Sequence, residues 1–515
     1  MKIAIYDKWL ETFGGGEKVA TVMAEVLANA GHKVDLISNF EVDKKQLEKK
    51  MGVNLSKVNL KNWYEKRSYA KLTPKTKDYD LFINVSYLDH LPSMAEKSIY
   101  YVHFPTPIKN TFLGFIKYEA ILPFFRKYLI IPEIAKGIDP IDDVNTRGGK
   151  WLSKENTIVL SNTPNKFKLT FRIYAEQLSL KTLELISFSS PNAKIMLRDK
   201  FIDHDSNILV YKLTVWSKEE SLAIKITAKE DLRTNALGLV SMSVMNIRFF
   251  LWNVIKRYLP RYEMALYGSS IFKIEQGLDN YQIFLSNSNF TKKWTKKYWG
   301  KDSKILYPPV DTAHFKSGEK KNMILNVGRF FVGGHSKRQD ILVSTFKKLI
   351  DNEKLDSSWS LFLVGGVAVG KEHADYVNKL KEESKGYPIH FYFSPSFNAL
   401  KKIYSQAKIY WHATGFGVNE NVEPIKVEHF GITPVEAMAA GAVPLVFKSG
   451  GVIETVNDDN LVWRSSEELM EKTIKLAKRP KLLQKYSQYV QNRAKKFSKE
   501  NFAKSLLSYI EKLRR

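Results

Sequence analysis

The first forty residues constrain the fold more than any other stretch of this chain. Lys2–Tyr6 is a short apolar run, Gly14-Gly15-Gly16 a turn, Glu17–Ala30 a helical pattern closed by Gly31, and Val34–Ile37 a second apolar run. A strand, a turn, a helix and a strand in that order predict a βαβ unit, which needs a parallel sheet covered by helices. Leu81–Asn84, Ile99–Val102 and Tyr281–Ser286 read as further buried strands. A second α/β series begins near Met323, with strands expected at Ile324–Val327, Ser360–Val364, Ile389–Phe393, Ile409–His412 and Val443–Val446. The fold class is therefore α/β, and 515 residues suit two domains plus an insertion better than one core.

The texture changes between the two series. Residues 151–245 offer short alternating runs, at Thr157–Leu160, Lys168–Ala175, Lys194–Leu197, Ile208–Trp216 and Leu222–Thr227, separated by turn clusters. This predicts an antiparallel, β-rich insertion in the first domain. The expected boundaries are 1–145 with 246–310 for the N-terminal domain and 146–245 for the insertion. The C-terminal domain is expected at 311–485, followed by a terminal helix over 486–515.

Composition narrows the chemistry. The absence of cysteine excludes disulfides, thiolate metal sites and cysteine nucleophiles, and fits a reducing compartment. A strand starts at once after Met1 with no apolar leader ahead of it, and no run reaches the roughly 20 apolar residues of a spanning helix. These features predict a cytoplasmic protein. The net charge of +26 asks for an anionic partner. Phe112–Ile131 and Ile247–Tyr267 interleave aromatics with Lys and Arg, which suits helices lying in a membrane interface, so peripheral contact with an anionic inner membrane face is expected. The basic residues are otherwise spread along the chain without a recognition motif, which argues against a specific nucleic-acid partner.

The segment Glu428-His429-Phe430-Gly431-Ile432-Thr433-Pro434-Val435-Glu436 carries the most chemistry. Thr433 suits an N-cap, Pro434 the first helical position and Glu436 the third, which would complete a capping box, with Gly441 closing the helix. That explanation leaves out Glu428 and Gly431 on the loop before the helix. The helix N-terminus attracts anions, so a carboxylate beside it needs another ligand group, and sugar or ribose hydroxyls donate the hydrogen bonds it accepts. Gly328-Arg329-Phe330 follows an expected strand, with Lys337 and Arg338 in the loop beyond. Two cations there would neutralise charge developing on a leaving phosphate. Gly14-Gly15-Gly16-Glu17 lets backbone amides approach phosphate, and His103 ends an apolar run.

With EHFGITPVEAMAAGAVPLVFKSGG in view, the chain resembles the family-4 retaining glycosyltransferases, and among them the mannosyltransferases that extend dolichol-linked oligosaccharides and their bacterial relatives. The likeness covers residues 1–110 and 280–455 and leaves out the insertion. It implies a GT-B fold, two Rossmann-like domains facing a cleft, with the terminal helix crossing back to the first domain. It implies transfer of a hexose, mannose favoured, from a GDP- or UDP-linked sugar to a glycan or lipid-linked acceptor with retention. Carried over by residue, Glu428, His103, Arg329 and Lys337 form the catalytic set. Gly15, Gly16, Gly328, Phe430, Gly431, Ile432, Glu436 and Gly450 line the donor, with Glu436 on the ribose. Neither Asp78-Tyr79-Asp80 nor Asp203-His204-Asp205 stands in the strand context of a metal-dependent glycosyltransferase, so no metal and no other cofactor is expected. The competing readings are another GT-B enzyme, such as a glycogen-type synthase or a sugar-nucleotide epimerase, and a non-catalytic glycan- or nucleic-acid-binding protein.

Overall fold

The computed structural model describes residues 1–40, 42–63, 72–107, 133–136, 155–161, 165–175, 180–203, 208–219, 221–228, 237–245, 277–368 and 370–514. The two basic aromatic segments, at 112–131 and 247–267, and Asp205 lie outside these residues. Two compact units emerge: Met1–Lys109, Phe272–Gly366 and Asp375–Arg515 form one, and Asn110–Ile271 with Val367–Ala374 form the other.

The chain lays down β1 (Lys2–Tyr6), β2 (Lys33–Ser38), β3 (Val58–Asn62), β4 (Leu81–Asn84) and β5 (Lys97–Val102). The helix after β1 runs over Gly15–Asn29, two residues earlier than its apolar pattern suggests, because Gly14 takes the N-cap in extended conformation. Its Val19, Val22, Met23 and Leu27 pack on Ile3 and Ile5 of β1. β3 escapes sequence reading, since VNLKN holds too few apolar residues to form a run.

The insertion belongs to the other unit. It comprises β6 (Glu133–Lys136), β7 (Glu155–Ser161), β8 (Lys166–Ala175), β9 (Ile186–Ser189), β10 (Ala193–Asp203), β11 (Ile208–Ser217), β12 (Ser221–Ala228) and β13 (Leu237–Met245). These form two four-stranded sheets, ordered β10-β11-β8-β13 and β6-β7-β12-β9, and their paired strands are antiparallel. Phe167, Leu169, Phe171, Leu209 and Leu213 of one sheet share a core with Ile158, Leu160, Leu222 and Ile224 of the other. Alternation along β7, β8, β11 and β12 sends every second described side chain to that core, so the insertion has a core of its own.

In the first unit β14 (Ile283–Ser286) and β15 (Lys304–Ile305) complete a seven-stranded parallel sheet of order β15-β14-β5-β4-β1-β2-β3. The second sheet is also parallel, ordered β18-β17-β16-β19-β20-β21. Its strands are β16 (Lys321–Val327), β17 (Ser360–Gly365), β18 (Ile389–Phe393), β19 (Ala407–His412), β20 (Val443–Phe447) and β21 (Val462–Trp463). The tail forms helices Ser466–Ala477, Pro480–Ala494 and Lys499–Arg514. The last of these returns to the first sheet, where Phe502, Leu506 and Ile510 join the core around Ile3 and Ile5. Burying three such side chains contributes about 1.5–3 kcal/mol each, enough to hold the tail there.

Candidate active site

Both parallel sheets reverse their strand order once, the first between β1 and β4 and the second between β16 and β19. Ligands of open α/β sheets bind outside the carboxyl ends of strands at such points. Gly14–Gly16 follow β1 and His103 follows β5, while Gly328-Arg329 follow β16 and His412 ends β19. The topology thus gathers the sequence candidates at strand ends.

Glu428 is the centre of the second group. Its Oε2 lies 2.6 Å from Lys337 Nζ and 3.5 Å from His412 Nε2. Burial alone would raise this carboxyl, but the Lys337 ammonium and the His412 ring outweigh it and hold Glu428 well below the usual carboxylate range. The site therefore keeps an ionised acceptor out of bulk water. Lys337 packs its stem over Gly328, where an added Cβ would collide with Lys337 Cγ. Its ammonium has further donors to offer a second anion beside Glu428. Arg338, the alternative cation, is committed elsewhere, to Asp340 at 2.9 Å and to the Phe416 carbonyl at 2.6 Å. Arg329 is exposed; burial raises the carboxyl of Glu17 nearby, and backbone and Thr12 hydrogen bonds and the Arg329 charge only partly offset it.

The helix after Glu428 starts earlier than a Thr433 cap requires. It spans Ile432–Ala439 with Gly431 as N-cap at φ 95°, a left-handed value that favours glycine, and no side chain caps it. Thr433 Oγ1 instead accepts a hydrogen bond from Tyr410 at 2.9 Å, and Glu436 accepts one from Tyr404 at 2.8 Å. The capping box is corrected, because two tyrosine hydroxyls from other elements reach those side chains first. Gly441 does close the helix region, at φ 76°. Burial pushes the Glu436 carboxyl up to about 7, against the Tyr404 hydrogen bond and the nearby Lys18 charge.

Facing this loop, a Cβ on Gly15 would stand 3.2 Å from Ile432 Cδ1, and one on Gly16 would stand 3.3 Å from His103 Nε2. The glycines thus let the first helix approach both groups. His103 bonds the Val85 carbonyl through Nε2 at 2.8 Å, and burial draws its pKa down to about 4. It is a neutral ring, not a charged one. His429 stacks on Phe104 with centroids 3.9 Å apart and planes 7° off parallel, and burial draws its pKa to about 3. Phe430 is buried against Tyr307 and Phe497.

Gly450 sits where a side chain would strike the Glu428 carbonyl, and its amide donates to Glu420 at 2.7 Å. Glu454 holds the start of the Asn289–Trp299 helix, accepting from the amides of Asn289 at 2.9 Å and Phe290 at 2.8 Å. Sequence reasoning missed His412, Glu420 and Tyr404. His412 alone left a signal, a polar residue closing an apolar run as His103 does. Asp80 accepts from the Lys2 amide at 2.7 Å and Asp203 from Arg172 at 3.0 Å. Among the described residues no group of three or more His, Cys, Asp or Glu is arranged to hold a metal ion.

The two switch points and the loops between them define the chain as a GT-B protein, two Rossmann-like domains with a β-rich insertion in the first. Solved structures share this architecture: a Rickettsia africae glycosyltransferase (TM-score 0.52, 13% identity, covering 100% of this chain and 98% of that one) and the Anabaena protein Alr3699/HepE in complex with UDP and glucose (TM-score 0.52, 11% identity, covering 99% of each). Residues 310–493 match the family described as glycosyl transferases group 1, and this stretch is a domain of that family. The chain resembles GDP-Man:Man(3)GlcNAc(2)-PP-Dol alpha-1,2-mannosyltransferase of Dictyostelium discoideum, at 30% identity over 42% of this chain and 44% of that protein. The Homo sapiens protein of the same name is 28% identical over 45% of this chain and 48% of its own. Alpha-1,3/1,6-mannosyltransferase ALG2 of Candida glabrata is 28% identical over 33% and 43%. The matched stretch thus spans less than half the length of each of these relatives.

Proposed function

We propose that the protein is a retaining, metal-independent hexosyltransferase acting on a nucleoside-diphosphate sugar, with a glycan or lipid-linked acceptor at the cytoplasmic face of a membrane. The observation that carries this reading is the Glu428–Lys337 pair at 2.6 Å, beside Gly328-Arg329 at the switch point of the second sheet. Arg329 and Lys337 take the diphosphate, where they stabilise the charge that grows as the bond from the anomeric carbon to the phosphate oxygen breaks. Glu428 accepts hydrogen bonds from sugar hydroxyls and positions the reacting carbon. The acceptor oxygen bonds to that carbon on the same face, and its proton passes to the leaving phosphate. Glu436 receives the ribose, and Gly15, Gly16 and neutral His103 border the sugar.

The names of the relatives favour GDP-mannose as donor, and the UDP held by the Anabaena protein makes UDP-sugars the second class to test. Membrane placement draws support from the net charge of +26 and the two basic aromatic segments. Among the described residues no helix is long and apolar enough to cross a membrane. The test is a screen of GDP-, UDP- and ADP-sugars for hydrolysis and transfer with the wild type and Glu428→Gln. Turnover of one donor, lowered at least about 100-fold by Glu428→Gln in line with loss of a group that acts in the transition state, is the expected result. Undiminished transfer by the variant overturns the assignment.

A further inference from the structure

The two outer faces of the insertion differ in charge. On β8 and β11, Phe167, Leu169, Phe171, Leu209, Leu213 and Val215 point into the core, so the alternate positions point outward. Those positions, with β10 in register beside them, carry Lys166, Lys168, Arg172, Lys194, Arg198 and Lys212. Arg198 sits at a bulge and donates to outward Thr214 at 3.2 Å, which places it on the same face. Two described carboxylates share the face: Asp199 pairs with Lys212 at 3.1 Å and Asp203 with Arg172 at 3.0 Å. Aromatic rings stand among the cations, with Lys166 over Trp216 at 5.6 Å and Lys212 over Phe201 at 4.8 Å. Phe201 keeps 40% of its surface in solvent.

The opposite sheet gives a control within the same unit. Ile158, Leu160, Leu222, Ile224 and Ile226 point inward there. On β7, β12 and β9 the outward positions with described side chains, Thr157 and Val159, Ala223, Lys225 and Thr227, and Ser187 and Ser189, include one cation. Solvation asks for polar groups on both outer faces, yet does not ask for six cations on one of them. Mutual repulsion makes such crowding unfavourable without a partner.

We infer that the outer face of β8, β10 and β11 docks on a bilayer leaflet containing anionic phospholipid. This rests on the reading that the protein works at a membrane, and it assigns that contact to a surface. From Lys166 to Arg172 the cations on β8 span about 20 Å, and three neighbouring strands add width at about 4.8 Å each. A plane of phosphates meets such a two-dimensional array at many points, whereas an extended polyanion crosses it along one line. Phe201 and Trp216 have the half-apolar character of residues that settle at headgroup level.

The test floats the full-length protein with vesicles of phosphatidylcholine alone and of an equal mixture with phosphatidylglycerol. Binding to the mixed vesicles only, weakened by salt, is expected. Each cation near an anionic leaflet is worth about fivefold in partitioning, so Lys166→Glu/Lys168→Glu/Lys194→Glu loses at least about 100-fold. The variant keeps its unfolding temperature, since all three side chains are exposed, and keeps its transfer to a soluble acceptor, while Lys225→Glu floats like the wild type. Equal flotation of wild type and triple variant overturns the inference and leaves membrane placement standing. If the wild type floats with neither vesicle, both fall. Capture by soluble heparin without vesicle binding also overturns it, and marks the face as a polyanionic-glycan surface.

Discussion

Replacing Lys337 by Met removes the main counter-charge of Glu428 and should destabilise the C-terminal domain measurably. Taking away one partner of a fully buried pair costs about 3–5 kcal/mol. Here the side chains keep 22% and 19% of their surface in solvent, and screening reduces the figure to about 2 kcal/mol. For a domain of this size that is a fall of about 4–8 °C in the unfolding midpoint, read by scanning calorimetry without nucleotide. The pH dependence should also change sign. In the wild type the Glu428 carboxyl is depressed, so it contributes stability above the ordinary carboxylate range and loses it as pH falls through the folded value. In Lys337→Met burial prevails and the carboxyl rises, so the deficit should shrink in acid, where protonation removes the stranded charge. Adding Glu428→Gln should recover most of the loss, giving a coupling of about 2 kcal/mol. If the single deficits simply add in the double variant, and the Lys337→Met deficit is the same in mildly acidic and mildly alkaline buffer, the two groups do not form the site described.

Three further outcomes concern Glu436 and Glu454. Glu436 is raised to about 7, so it favours the folded state below the ordinary carboxylate range, and that stability is lost as pH rises towards 7; Glu436→Gln should flatten this slope. Because an ionised carboxylate is the better acceptor for ribose hydroxyls, donor affinity by titration calorimetry should rise with pH through about 7 in the wild type and not in that variant. Glu454→Ala removes the acceptor for two amides at 2.9 and 2.8 Å at the start of the Asn289–Trp299 helix. It should cost about 1–2 kcal/mol, visible as a lower midpoint in thermal unfolding.

The parallel sheets were legible because their strands are buried on both faces and so read as unbroken apolar runs. Lys2–Tyr6, Leu81–Asn84 and Val443–Phe447 fall where those runs lie. β3 was not legible, since its alternation of polar and apolar residues covers only VNLKN. Nor was β13, where LGLVSMSVM mixes glycine and serine into the run and pairing with β8 makes it a strand. In the site, the residues legible in sequence stand next to glycines or at strand ends, where local chemistry leaves a mark. His412 left such a mark, but Glu420 and Tyr404 did not: Glu420 meets the Gly450 amide 30 residues away, and Tyr404 meets Glu436 across 32.

The same distance in sequence explains the one misplaced role. Counting from Thr433 to Glu436 yields a capping box, which accounts for Glu436 by local geometry and leaves Gly431 in need of a ligand. The fold reverses the two. Gly431 is accounted for by its own backbone, at φ 95° with Val452 Cγ2 2.9 Å from where a Cβ would be. Glu436 makes no cap, and burial keeps its carboxyl poised at about 7 beside Tyr404. Gly431 starts the helix without a side-chain cap and Glu436 supplies none, and a buried carboxyl is costly unless something is gained by it. Glu436 therefore joins Glu428 as a carboxyl that helix capping does not explain, and the proposed assignment of both to the hydroxyls of a donor rests on that.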